Sequence, residues 1–176
     1  MRKWKTYVLS CIWVPFFVAQ ILMVFIFGIF NEAGLDVVMY IGWVIWAISL
    51  IFGWLPIFIF KRKGGVLKGK GYVHTTILVD SGLYSIVRHP QYTAGILFSL
   101  ALILISQSWL IAAIGVFVIL LMYVDILMAD KHEVEKFGNE YELYMKKVPR
   151  TNFILGAIRL LRRRREKEND TLKKSE

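Results

Sequence analysis

Arg88, His89 and Pro90 stand side by side, with Gly82 and Tyr84 before them and Tyr92 one helical turn beyond His89. A guanidinium, an imidazole and two phenol rings gathered at a helix start make an anion-friendly, ring-lined pocket. Pro90 suits that start, because its missing N–H costs nothing there. The plainer account is a basic anchor ahead of an apolar helix. A second polar set lies further along: Asp130 and Glu133 share a helix face at i, i+3 spacing, with Glu135 beside them. A carboxylate at Asp130 is able to accept two sugar hydroxyls or hold an amine. The plainer account is a solvated helix in which Lys131 and Lys136 answer the acids. Arg150 follows Val148-Pro149, straight after a helix stop, and is placed to fold back toward a pocket. The four arginines 162–165 read as electrostatic only.

Other chemistries find no support. "KRKGGVLKGKG" lacks the Gly-Lys-Ser/Thr ending of a phosphate loop. No Ser-His-Asp arrangement is visible. The histidines are His74, His89 and His132, and Cys11, inside an apolar run, is the one thiol, so no internal disulfide forms. His132 with Asp130 and Glu135 lacks a diagnostic ligand spacing, and no metal is expected.

The elements that must position these residues are apolar. Hydrophobic residues make up 57% of the 176-residue chain, and the mean hydropathy is +0.55. A membrane protein is the first reading. The runs Tyr7–Phe30 and Val37–Phe60 are each long enough to cross the hydrocarbon core. Thr93–Ile105 is short and must borrow Gln91 and Gln107, or thin the bilayer. Trp109–Met128 is long enough and carries Asp125 near its end, where it reaches the interface or faces a pocket. The fold class expected is an all-α integral membrane protein of about four transmembrane helices, in two hairpins, with cytoplasmic C-terminal helices. The N-terminus resembles a signal peptide, but its apolar run is too long and has no small-residue cleavage site; a retained membrane helix is expected.

Charge supplies the orientation. The 22 lysines and arginines all lie in the N-terminal tail, between Lys61 and Arg88, or after Met128. The links "NEAGLD" and "SQS" have none. The positive-inside rule then puts both termini and the middle stretch in the cytoplasm. An even number of spans agrees. The net charge of +9 is therefore largely topological, and no nucleic-acid partner is expected. The segments are an N-terminal hairpin (1–60), a connector carrying Arg-His-Pro (61–91), a second hairpin (92–128), closing helices (129–165) and a disordered tail (166–176). In the connector, Asp80-Ser81-Gly82 is a turn signal. "DKHEVEKFGNEYELYMKKVPR" reads as one helix, weakened at Gly138 and ended by Pro149, with Phe137, Tyr141 and Tyr144 on one face. "FILGAIRLLRRRREKEND" fits a helix lying along an anionic membrane surface. No internal repeat is present.

Two of these stretches carry a resemblance. "GLYSIVRHPQYTAG" resembles the Gly-x-Tyr…Arg-His-Pro-x-Tyr signature of the isoprenylcysteine carboxyl methyltransferase and phospholipid methyltransferase group. "DKHEVEKFGNEYELYMKKVPR" is similar to that group's C-terminal segment. The resemblance spans Thr76–Thr151 and implies S-adenosylmethionine as cofactor. It implies Tyr84, Arg88, His89, Pro90, Tyr92, Asp130 and Tyr141 at the cofactor, with Arg150 and Asp130 near the reacting groups. It further implies a lipophilic or lipidated acceptor and a bilayer as partner. The oligomeric state stays open. Three departures stand out: Ala129 and Asp130 replace the group's pair of glutamates, Glu133 replaces a leucine, and Ala94-Gly95 shifts a glycine by one place. Two other functions compete: an NADPH-dependent sterol or isoprenoid reductase, which has a related Arg-His-Pro-x-Tyr hairpin, and a non-enzymatic transporter or assembly factor.

Overall fold

The computed structural model describes residues 3–65 and 76–175, and His74 lies outside them. The described residues form six helices: α1 (Lys3–Phe25), α2 (Asp36–Lys63), α3 (Pro90–Ser106), α4 (Trp109–Phe137), α5 (Asn139–Lys147) and α6 (Phe153–Ser175). A single 3-10 turn, Gly82–Ser85, precedes α3, and the described residues contain no strand. α2 and α4 are long and apolar enough to cross a membrane. The apolar stretch Leu9–Phe25 of α1 and the whole of α3 are shorter.

Three sequence expectations change. The run Tyr7–Phe30 is not helical to its end: α1 stops at Phe25, and Gly28 and Asn31 turn the chain at φ +70° and +50°. The segment 131–149 is two helices, not one. Gly138 adopts φ +57° between α4 and α5, a conformation that costs a glycine least. The tail expected to be disordered continues α6 as far as Ser175.

The two short links sit together. Asn31 and Glu32 donate their amides to the carbonyls of Ile105 and Ser106, at 2.9 and 3.0 Å. Gln107, in the left-handed region, donates through Nε2 to Asn31 Oδ1 (2.7 Å) and Leu35 O (2.9 Å), and accepts from the Leu35 amide (3.0 Å). These bonds satisfy the last carbonyls of α3 and tie its end to the start of α2 at one end of the bundle. Between the links and the far end, buried polar groups lock the helices. Ser99 Oγ donates to Gln20 Oε1 at 2.7 Å, and Gln20 Nε2 donates to the Ser99 and Ile111 carbonyls. Asp125 is fully buried, and accepts from Ser10 Oγ (3.0 Å) and Trp13 Nε1 (3.2 Å) on α1. A carboxylate inside an apolar helix needs such donors.

Glycine sets the closest helix approach. A Cβ on Gly42 of α2 would lie 2.8 Å from Ile105 and 3.1 Å from the Ala101 carbonyl of α3, while one on Gly53 meets only Ala94, at 3.7 Å. The Ala101 backbone cannot retreat without moving α3. Gly42→Val is therefore expected to destabilise the protein by about 1–3 kcal/mol. Gly53→Ala is expected to leave stability unchanged. Thermal unfolding in detergent reads both, and equal midpoints for the two variants would contradict the packing described.

Candidate active site

The end of the bundle opposite the short links holds the motif residues. Gly82, at φ +65°, starts the 3-10 turn and lets the chain pass close to Ile59 of α2. Lys63 Nζ donates to Ser81 Oγ at 3.0 Å, and the Tyr84 ring stacks on Phe60 at 4.5 Å. The turn is thus fastened to the last turns of α2. Pro90 opens α3, so Arg88 and His89 occupy the bend between two anchored elements.

The second segment pairs with this bend through its backbone. The Arg88 amide donates to Pro149 O at 3.0 Å, and the His89 amide to Arg150 O at 3.2 Å. Tyr144 Oη donates to Tyr84 O at 2.6 Å. Tyr141, Tyr144 and Val148 form one buried cluster with Phe137 packed against it, so the expected shared face is present despite the break at Gly138.

Asp130, just past the apolar stretch that ends at Met128, is the hub. Its Oδ1 accepts from His89 Nε2 (2.7 Å) and from Tyr141 Oη (2.9 Å), and Arg88 Nη1 lies 3.3 Å away. Its Oδ2 accepts from Arg150 Nε at 2.7 Å. Burial alone would raise the Asp130 carboxyl. The His89 hydrogen bond and charge, the Arg150 hydrogen bond and the Arg88 charge outweigh it, and hold the carboxyl well below the ordinary carboxylate range. Burial, then the charge of Asp130, push the Tyr141 hydroxyl above the phenol range, so it stays a neutral donor. Burial likewise raises Tyr144. The Asp130 hydrogen bond raises the Arg150 guanidinium, which also reaches Tyr123 Oη at 3.3 Å.

Beside the hub lies a cavity of about 190 Å³. Tyr84, Arg88, His89, Pro90 and Tyr92 line it from the first motif. Ala129, Glu133, Phe137, Tyr141 and Tyr144 line it from the second. Asp130 and Arg150 do not line it; they pair behind its wall. Both Asp130 oxygens, which its position alone suggested as acceptors for two hydroxyls, accept hydrogen bonds from within the chain. The carboxylate that does face the cavity is Glu133. Arg88 is buried, and its Nε and Nη1 have no hydrogen-bond partner, the Asp130 contact being out of alignment. Asp130 balances its charge, but the two buried N–H groups left without an acceptor are costly and suit an acceptor from outside.

Sequence reasoning missed the hydrophobic floor, Phe60 with Ile77–Val79. Nothing distinguishes Phe60 from the apolar run it ends. It also missed Tyr123 and Arg163. Arg163 is not electrostatic only: its Nη2 donates to Ser85 O at 3.1 Å. Among the described residues, no three His, Cys, Asp or Glu side chains gather as a metal site.

The phospholipid methyltransferase family profile matches residues 37–140. The chain belongs to that family. The matched region runs from α2 to the first residues of α5 and takes in all of the cavity lining except Tyr141 and Tyr144. Family and apolar helices together make this an integral membrane protein of a methyltransferase family. No curated protein and no solved structure matches the chain.

Proposed function

We propose that the protein moves a methyl group from S-adenosylmethionine to a polar group of a lipophilic acceptor at the cytoplasmic face of a membrane. In this reading α1 to α4 are four spans, paired as two hairpins, with both termini and the closing helices on the cytoplasmic side. The hydrogen-bonded links Asn31–Leu35 and Gln107, which carry no cation, support a common far side.

The observation that carries the reading is the cavity wall. Arg88 and His89 from one motif face Glu133 and Tyr141 from the other, and the buried Nε and Nη1 of Arg88 have no hydrogen-bond acceptor. The lining fits the cofactor's chemistry. The free Arg88 nitrogens suit its carboxylate. Glu133 suits its ammonium or ribose hydroxyls. The rings of Tyr84, Tyr92 and Phe137 suit a nucleobase and a sulfonium. When bound, the cofactor supplies an activated methyl group on a sulfonium leaving group, so the protein need not provide a covalent nucleophile. The chain's own task is to orient donor and acceptor and to keep water out. Asp130 does this as a positioning residue, because it fixes His89, Arg150 and Tyr141 at once. Arg150, 29% exposed and held to Asp130 and Tyr123 behind the cavity wall, is in this reading the cation nearest the acceptor's polar group. The acceptor group is a carboxylate, an amine or a thiol, and isoprenylcysteine-like acceptors belong to that class.

The test is transfer of a labelled methyl group from S-adenosylmethionine to membrane extract. Label is expected in the lipid phase with the wild-type protein and not with His89→Ala. Label that stays with the cofactor in both samples would sink the proposal. Tyr141→Phe is expected to lower turnover by about tenfold or more, since it removes a hydrogen bond to a charged group, worth roughly 1.5–3 kcal/mol. An unchanged rate would mean that Tyr141 only fills space.

A further inference from the structure

The side of α6 that no other element covers changes chemistry along its length. Ile154, Leu155, Ile158 and Leu161 are exposed over its first turns, and Arg162, Arg164 and Arg165 are exposed directly after them. The inner side is Phe153, Gly156 and Arg163. The Phe153 ring lies 5.4 Å from Phe52, which sits inside the apolar run of α2, two turns before Phe60. A Cβ at Gly156 would overlap the Ile86 carbonyl, so α6 rests directly on backbone there. Arg163 Nη2 donates to Ser85 O at 3.1 Å. Ser85 closes the 3-10 turn that Lys63, Phe60 and Ile59 hold at the cationic end of α2. α6 therefore begins beside the apolar run of a spanning helix and reaches that helix's cationic end by Arg163. Its uncovered side matches this path, with apolar side chains first and guanidinium groups after them, at the cationic end of α2.

We propose that α6 is an interfacial helix that seats Ile154, Leu155, Ile158 and Leu161 in the bilayer and binds anionic lipid phosphates through Arg162, Arg164 and Arg165. The binding holds α6 on the Ile86 and Ser85 carbonyls, and so holds the turn that puts Tyr84 on the cavity wall. This coupling rests on the proposed methyl-transfer reading; the lipid contact does not. Each arginine near an anionic surface strengthens attraction roughly fivefold, and a guanidinium can grip a phosphate with two parallel hydrogen bonds. Tyr84 is the link because its ring stacks on Phe60, its carbonyl takes the Tyr144 hydroxyl, and its neighbour Ser85 takes Arg163.

The experiment places the full chain in nanodiscs of phosphatidylcholine, with or without phosphatidylglycerol. An environment-sensitive dye is attached at Ile158→Cys in a Cys11→Ser background. The dye is expected to shift to the blue when phosphatidylglycerol is present. High salt and the combined variant Arg162→Gln, Arg164→Gln, Arg165→Gln are each expected to abolish the shift. Calorimetry in the same discs is expected to show S-adenosylmethionine binding about fivefold tighter with the anionic lipid, the low end of known coupling between sites. The combined variant is expected to show no difference. A dye in water in both discs, or one equally buried in both, overturns the lipid contact. A shift reproduced by soluble pyrophosphate in phosphatidylcholine discs overturns it too, since the arginines would then be a free-phosphate site. A normal dye response with unchanged cofactor affinity overturns the coupling. No cofactor binding in either disc, with a normal dye response, overturns methyl transfer and leaves the lipid contact standing.

Discussion

Asp130→Ala is expected to destabilise the polar end of the protein and to abolish cofactor binding with it. The carboxylate receives His89, Tyr141 and Arg150, with Arg88 at 3.3 Å, and its side chain is 5% exposed. Removing it leaves two guanidinium groups and an imidazole facing one another out of water. Breaking a buried ion pair from one side costs roughly 3–5 kcal/mol, a large part of the margin by which a domain is folded. Asp130→Asn separates the two effects. The amide has nearly the same shape and keeps one acceptor oxygen, but loses the charge that balances Arg88 and Arg150. It is expected to fold with a lowered unfolding midpoint and to bind the cofactor at least about tenfold more weakly. Thermal unfolding and calorimetry on the two variants check this. If both bind like wild type, Asp130 is not the hub of the site.

Arg88→Ala is expected to have the opposite balance, with little effect on stability and a large one on binding. The Arg88 amide bond to Pro149 does not need the side chain, and Asp130 keeps His89 and Arg150. What disappears is the guanidinium edge on the cavity wall, whose Nε and Nη1 have no hydrogen-bond acceptor within the protein. Losing one partner of a buried charged contact weakens binding by about 2–5 kcal/mol, on the order of thirtyfold to several thousandfold. Arg88→Lys restores charge without the fork and is expected to recover only part of the affinity. His89→Ala belongs with this group. Normal binding by both the Arg88 and His89 alanine variants, with the fold intact, would mean that the pocket is assigned to the wrong residues.

Much of this site was legible because its parts are local. Arg88, His89, Pro90 and Tyr92 are consecutive or one turn apart, so a helix start alone brings them together. Phe137, Tyr141 and Tyr144 share a face by spacing, and the glycine between them only changes how they reach it. What spacing does not carry is pairing between segments. The bonds from Arg88 to Pro149 and from His89 to Arg150 run through backbone, which has no residue signature. The role of Asp130 changed for the same reason. As a lone carboxylate on a helix it suggested a ligand for hydroxyls, but Arg88 and His89 from one segment, Arg150 from another and the Tyr141 hydroxyl from α5 converge on its two oxygens. Asp125, placed by sequence at the interface or a pocket, accepts through Oδ2 from Ser10 and Trp13 on α1. The two long spans were plain from composition. The end of α1 at Phe25 was not, because Gly28 and Asn31 act through backbone angles within a run that stays apolar.

The most direct test is a calorimetric titration of S-adenosylmethionine, and separately of NADPH, into the full chain in nanodiscs. The expected result is saturable binding of S-adenosylmethionine at one site per chain, lost in Arg88→Ala, and no heat from NADPH. Saturable NADPH binding without S-adenosylmethionine binding, or no binding of either, would contradict the assignment of the cavity.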